Sequence, residues 1–311
     1  MKIIAIGVDI GGSHISCAAV DLQQRAILHE NVVTARVNNQ ASAGEILDSW
    51  AQALTSAMGQ IDPTQLAGIG FAMPGPFDYA EGIARFNPDV AKYQNLFGVD
   101  ISFAIRDRLG LPPDFELRYL NDASAFGVGE AWRGRAVTAK RSISITLGTG
   151  LGASFIDDGI PVVDGDSVPR MGSMWHLPFN EAIADAAFST RWFIERYARK
   201  TGEVLDGVKA VAARAATDPR AKEVFGEFGS NLGCFTGAWV KKFAAEILVI
   251  GGNVSAAYDL FGPALEASFM KQHISSRIAI SELKEAAAAI GSARLFEDQF
   301  WKRIKPLLAK M

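Results

Sequence analysis

Cysteine is nearly absent: Cys17 and Cys234 are the two thiols in 311 residues. Two thiols so far apart build no disulfide framework and offer no paired metal-ligand spacing. Both sit in apolar stretches, which predict buried and inert thiols. The pattern fits a reducing compartment, which places the chain in the cytoplasm. A basic excess is also missing, since 31 Lys and Arg stand against 34 Asp and Glu, a net charge of −3. The nearest basic cluster, Lys140-Arg141, is too short to grip phosphates, so nucleic acid is not an expected partner. No apolar run approaches the roughly 20 residues that cross a bilayer, so no membrane association is expected. The opening MKIIAIGVDI is interrupted by Asp9 and followed by polar residues. It reads as a buried first strand rather than a secretory leader.

What is present is ordinary globular material, with 49% hydrophobic and 21% charged residues in a chain long enough for two domains. Apolar runs at Lys2 to Ile10 and Ile15 to Val20 flank a glycine turn and predict a β-hairpin, which Ile27 to Val33 extends. Ile46, Leu47, Trp50, Leu54 and Met58 fall at helical spacing. A strand is expected over Leu66 to Ala72, ending at Pro74-Gly75-Pro76, and a helix over Ile101 to Leu109, stopped by Gly110 and Pro112. Phe115 to Leu120 reads as a strand, and Ala123 to Trp132 as the following helix. Then the opening layout returns: Ser142 to Thr146, a glycine turn, and Ala153 to Ile156. Two such hairpins half a chain apart predict an internal structural duplication. Helices are expected over Glu181 to Arg199, Val204 to Ala216, Arg220 to Phe243, Val254 to Lys271 and Leu283 to Leu295, with strands at Glu246 to Ile250 and Arg277 to Ile280. The alternation predicts an α/β architecture. A dinucleotide-binding fold is disfavoured, because Gly11-Gly12-Ser13 leads into a strand rather than a helix.

Glycines at a hairpin tip let backbone N–H groups approach an anion unobstructed, and clusters of such groups seat phosphates. Three glycine turns end apolar strands: Gly11-Gly12-Ser13, Gly148-Thr149-Gly150 and Gly251-Gly252. One alone would merely reverse the chain; three suggest a nucleotide site. Asp9 and Asp122 each stand near a strand end, where α/β sheets place ligands. Asp122 also precedes a helix, so it can serve as the N-cap. Phosphoryl transfer is mostly positioning and charge neutralisation, and it needs a group to accept the alcohol proton. A carboxylate suits that task.

Taken in order and spacing, Asp9 to Ser13, Pro74 to Pro76, Leu120 to Ala123, Gly148 to Gly152 and Gly251-Gly252 resemble the ROK family of sugar kinases and sugar-responsive repressors. Ile290-Gly291-Ser292-Ala293 is similar to its closing Gly-Ala-Ala segment, so the likeness spans the chain. It implies two actin-like, ribonuclease H-like α/β domains with ATP and sugar in a cleft between them. On that division, residues 1–121 with a C-terminal helix over about 290–311 form the first domain, and 122–289 the larger second. The resemblance implies Asp122 as catalytic base and Asn121 as a sugar contact, with Gly75 and Asn87 also facing the sugar. It implies Gly11, Gly12, Ser13, Gly148, Thr149 and Gly150 on the phosphates, Gly251 and Gly252 beside the nucleoside, and Asp9 organising Mg2+ through water. A homodimer is the family's habit, and the aromatic helix Arg191 to Tyr197 offers either core or a subunit contact.

The departures are informative. The family's Glu-x-Gly-His, whose Glu contacts sugar, reads Ser173-Met174-Trp175-His176 here, and the zinc cysteines are missing, so no structural zinc is expected. His176 remains as a candidate sugar contact, and Asp185 takes the place of a second sugar-binding Glu. Losing a charged hydrogen bond to a hydroxyl costs about 1.5–3 kcal/mol, so a glucose-like ligand would be penalised. The expectation is an ATP- and Mg2+-dependent kinase acting on a hydroxyl of a hexose or related sugar. The alternative is a non-catalytic sugar-binding regulator of the same fold, and polyphosphate is a second possible donor.

Overall fold

The computed structural model describes residues 3–59, 61–87 and 92–311; Lys2, the expected start of the first strand, lies outside them. The chain divides into two compact units, 1–137 with 285–311, and 138–284.

In the first unit, β1 (Ile4–Ile10), β2 (His14–Asp21) and β3 (Ala26–Arg36) form an antiparallel meander. Helix α1 (Ala43–Met58) starts at Ser42, whose side chain closes a capping box with Glu45, and buries Ile46, Leu47, Trp50 and Leu54. Strand β4 (Leu66–Met73) runs parallel to β1. A two-residue hairpin, β5 (Phe77–Asp78) and β6 (Ile83–Ala84), precedes α2 (Ile101–Leu109), β7 (Leu117–Asn121) and α3 (Asp122–Trp132). The sheet order is β3-β2-β1-β4-β7, so β1, β4 and β7 are parallel neighbours.

The second unit repeats this plan. Strands β8 (Arg141–Leu147), β9 (Leu151–Asp157) and β10 (Ile160–Pro161) form the meander. After a short hairpin, β11 (Pro178–Phe179) and β12 (Ala182–Ile183), come helices α4 (Ala184–Ala187), α5 (Thr190–Thr201), α6 (Gly207–Arg214) and α7 (Pro219–Phe243). Strand β13 (Ile247–Gly251), helix α8 (Tyr258–Lys271) and strand β14 (Arg277–Ile280) complete an order of β10-β9-β8-β13-β14. The duplication expected from the two hairpins is therefore a duplication of whole sheets.

The chain re-enters the first unit as α9 (Ala286–Ala293) and α10 (Asp298–Ile304). Only small residues allow this return. A Cβ on Gly7 would stand 1.8 Å from Ala289 O, and one on Gly291 would stand 1.8 Å from Ala125 O. Ser292, buried here, accepts a hydrogen bond from Val8 N–H at 3.1 Å. This contact joins α9 to β1.

Several expected boundaries shift, each for a local reason. Contacts of α3 with α9 keep residues 122–132 in the first unit, so the chain leaves that unit after Val137 rather than at 121. The expected helix Glu181 to Arg199 is interrupted, and α5 begins afresh where Ser189 Oγ accepts from Trp192 N–H at 3.3 Å. Residues 290–311 form broken turns and short helices rather than one helix, with Pro306 removing an N–H near the end. Phe193 and Tyr197 of α5 are buried in the second unit's core, and Trp192 packs on Phe228 at 5.6 Å between ring centroids. Phe193 and Tyr197 thus take the core alternative. Cys17 is buried as expected, but Cys234 is exposed, because it falls on the outward side of α7 while its neighbours Gly233 and Phe235 are buried.

Candidate functional site

Parallel pairing aligns three strand ends in the first unit. Asp9 of β1 lies beside Ala72 of β4, Ala72 beside Leu120 of β7, and Met73 beside Asn121. Asp9, Gly75, Asn121 and Asp122 thus gather at the C-terminal edge of the sheet, where open α/β sheets hold ligands.

Asn121 caps α3: its Oδ1 accepts from Ser124 N–H at 3.1 Å. The cap is one residue earlier than Asp122, which frees the Asp122 carboxylate from capping duty. Asn121 Nδ2 donates to Asp122 Oδ1 at 3.0 Å and to Tyr79 Oη at 3.2 Å, while Ala123 N–H donates to the same Asp122 oxygen at 2.8 Å. Tyr79 in turn donates to Met73 O at 3.2 Å. Both bonds orient Asp122 through Oδ1. Gly75, exposed and joined to Pro76 by a cis peptide bond, stands just past β4 above the Tyr79 hydroxyl. Asn87 is half-buried beyond β6.

Charge is concentrated here. Burial, then the Asp122 carboxylate, then Glu285 push the Asp9 carboxyl up to about 7. Burial also raises Asp122, and the Ala123 N–H, the Lys92 ammonium and the Asn121 amide partly offset it. Asp9 resists ionising beside the Asp122 carboxylate, and a cation at this edge would relieve that repulsion. Among the described residues no group of three or more His, Cys, Asp or Glu could hold a metal on its own. Asp9 and Asp122 are two carboxylates at one sheet edge, a donor set compatible with Mg2+, which binds through one or two carboxylates plus substrate phosphates and keeps its waters.

The first glycine turn is closed by Gly11 N–H donating to His14 O at 2.9 Å. Tyr93 Oη donates to Gly11 O at 2.7 Å, and Asn39 Nδ2 donates to Gly12 O. Ser13 is exposed at the tip. Lys92 lies across this turn: a Cβ on Gly12 would meet Lys92 Cε at 2.9 Å and Nζ at 3.0 Å.

In the second unit the glycine turn after β8 is braced from behind. Gly148 N–H donates to Gly150 O at 3.0 Å, and Thr190 donates to Gly148 O through both N–H, at 2.8 Å, and Oγ1, at 2.9 Å. Thr149 is exposed at the tip. Asp185 Oδ1 accepts from Leu151 N–H at 2.9 Å, and a Cβ on Gly150 would lie 2.1 Å from that oxygen. Asp185, expected on the sugar, thus has one oxygen committed to the turn. Gly251 ends β13, and Gly252 follows at φ 79°, where a Cβ would stand 2.3 Å from Leu147 O. Only glycine fits that approach, and it sets the Gly251-Gly252 pair beside the Gly148–Gly150 turn.

His176 is half-buried with Nδ1 lacking a hydrogen-bond partner, and burial and Arg170 hold its pKa below the usual histidine range. The exposed Trp175 meets its ring edge-on at 5.3 Å between centroids. Sequence reasoning missed Tyr79, Tyr93, Asn39, Thr190 and Lys92. For Lys92 a signal existed, since it is the lone cation between Arg85 and Arg106.

Two sheets of the same order, each with a glycine turn between its first two strands, define the class of actin-like ATPase folds. A glucokinase structure from Streptomyces griseus, solved with glucose and AMPPNP, superposes with a TM-score of 0.75 at 23% identity, covering 95% of this chain and 99% of that one. Residues 5–299 match the ROK family, and the chain belongs to it. Among its relatives, the glucokinase of Thermotoga maritima is 25% identical over 96% of this chain and 98% of that protein. A putative xylose repressor of Caldicellulosiruptor is 24% identical over 93% of this chain and 76% of its own length.

Proposed function

We propose that this sugar kinase of the ROK family transfers the γ-phosphate of ATP to a hydroxyl of a hexose or related sugar, with Asp122 as general base. The observation that carries the reading is the Asp122 carboxylate, half-buried at the edge of three parallel strands and aimed by Asn121 and Ala123. Burial raises its pKa, which makes it a stronger base for an alcohol proton.

Asn121 and Gly75 would orient the sugar, with Asn87 and His176 as further contacts. The acceptor oxygen loses its proton to Asp122 and forms the new bond to phosphorus, while the bond from the γ-phosphorus to the bridging oxygen breaks and its electron pair leaves with ADP. Gly12, Ser13, Thr149 and Gly150 would offer N–H groups to the phosphates, while Gly11 and Gly148, whose N–H groups close the two turns, would shape the seats; Gly251 and Gly252 would lie on the nucleoside side. Mg2+, held through water by Asp9, would neutralise phosphate charge. The same reading includes a homodimer.

The test is ADP release with Mg-ATP across hexoses, N-acetylhexosamines and rarer sugars, comparing wild type with Asp122→Asn. Sugar-dependent turnover that falls about 10²–10⁴-fold in the variant, with ATP binding retained, supports the assignment. Near-normal turnover by Asp122→Asn would sink it. If no sugar stimulates the wild type yet one raises its melting temperature, the chain is instead a sugar-binding regulator, the role that the xylose repressor's name gives that relative. Replacing ATP with polyphosphate in the same assay decides the donor.

A further inference from the structure

We propose that Lys92 is a second catalytic residue, whose ammonium group, seated on the first glycine turn beside Asp122, binds the transferring phosphoryl group. This rests on the kinase reading above. The placement is specific. The Lys92 side chain lies so close to the Gly12 α-carbon that any larger residue at 12 would displace it. Gly12 belongs to the turn whose N–H groups are the phosphate seat, so a cation there stands where anionic oxygens would come.

The neighbouring residues hold that position. Tyr93 is fully buried, edge-on to Trp50 at 5.5 Å between ring centroids, and its hydroxyl donates to Gly11 O at 2.7 Å. Its backbone N–H donates to Asn39 O at 3.1 Å, and Asn39 donates back to Gly12 O. Tyr93 is also left-handed, at φ 59°. For a bulky residue that conformation persists only when surrounding contacts enforce it. The segment carrying Lys92 is therefore tied to the phosphate turn twice, directly at Gly11 and through Asn39 at Gly12.

The chemistry follows from where charge develops. As the acceptor oxygen approaches, negative charge spreads over the three equatorial oxygens of the phosphoryl group. A lysine ammonium is a compact cation with three donors and suits that target. Its field also offsets part of the burial that raises Asp122, which helps keep the base ionised.

The experiment compares wild type, Lys92→Met and Lys92→Arg in kcat, in KM for sugar and for ATP, and in melting temperature. Calorimetry adds the affinity for Mg-ADP with and without aluminium fluoride, a mimic of the transferring group. Lys92→Met is expected to lose about a hundredfold in kcat, with sugar KM and melting temperature little changed and Lys92→Arg recovering part of the loss. Affinity for Mg-ADP alone should hold, while that for the aluminium fluoride complex drops. A Lys92→Met enzyme with wild-type kcat overturns the proposal, and so does a rise in sugar KM alone, which would make Lys92 a reader of the acceptor. Should Lys92→Met fail to fold, Lys92→Arg and Lys92→Gln carry the same comparison. A wild type with no sugar-dependent ADP release sinks the kinase reading and this inference with it. An active wild type with an indifferent variant sinks the inference alone.

Discussion

Replacing Asp9 with Asn should make the protein more stable while abolishing its turnover. Asp9 has its folded-state pKa raised from 3.8 to about 7 by burial, Asp122 and Glu285. An acid whose pKa rises on folding gives up stability as pH increases: no penalty exists below about 4, and it is complete above about 7. Keeping that carboxyl ionised at pH 8 corresponds to about 4 kcal/mol if the site stays rigid. Water entering around the half-buried carboxylate and small side-chain shifts reduce this, so about 1–3 kcal/mol is expected. For a unit of this size each kcal/mol moves the melting temperature by about 2–4 °C. The assay is thermal melting of wild type and Asp9→Asn at pH 4 and pH 8, without and with Mg-ATP. The variant should melt several degrees higher at pH 8 and nearly level at pH 4, and Mg-ATP should close the gap by stabilising only the wild type. A variant no more stable than wild type at pH 8, or equally stabilised at both pH values, would refute the argument.

Two further outcomes follow from the packing and the surface. Gly291→Ala should destabilise the protein by about 1–3 kcal/mol or more through overpacking, because its Cβ would meet Ala125 O at 1.8 Å; chemical denaturation measures this, and an unchanged midpoint would mean that α3 and α9 part easily. Asp218, at the start of α7, accepts from Arg220 and Tyr197, and Arg220 first, then Tyr197, hold its pKa at about 2 against burial. Its contribution to stability is present above about pH 4 and disappears as pH falls through about 2, so Asp218→Asn should lower stability at neutral pH and converge with wild type near pH 2 in an acid titration. Parallel curves over that range would contradict the role.

Much of the backbone plan was legible in the linear chain. Helix α2 and strand β14 fall where composition put them, because Gly110 and Pro112 stop the one and flanking helical periods bound the other. The paired glycine turns disclosed the duplication, since a short polar turn between two β-branched runs has few other solutions. Legibility failed where distant parts compete for a segment. The stretch after Glu181 has helical composition, yet Asp185 and Thr190 are recruited to brace the Gly148–Gly150 turn, and the helix restarts at Ser189. The α3 cap fell on Asn121 rather than Asp122, a difference of one residue that propensity cannot resolve.

The sequence by itself determined which strands and turns exist, and which residue types stand at their ends, because those depend on period, glycine and local hydrogen bonding. The tertiary structure alone decided what those ends meet. Parallel pairing of β1, β4 and β7 set Asp9 and Asp122 close enough to resist ionising together, and close approach at Gly12 allowed Lys92, eighty residues away in the chain, to lie across the phosphate turn. Long-range contacts of this kind depend on how whole elements stack, and no local pattern in the chain encodes them.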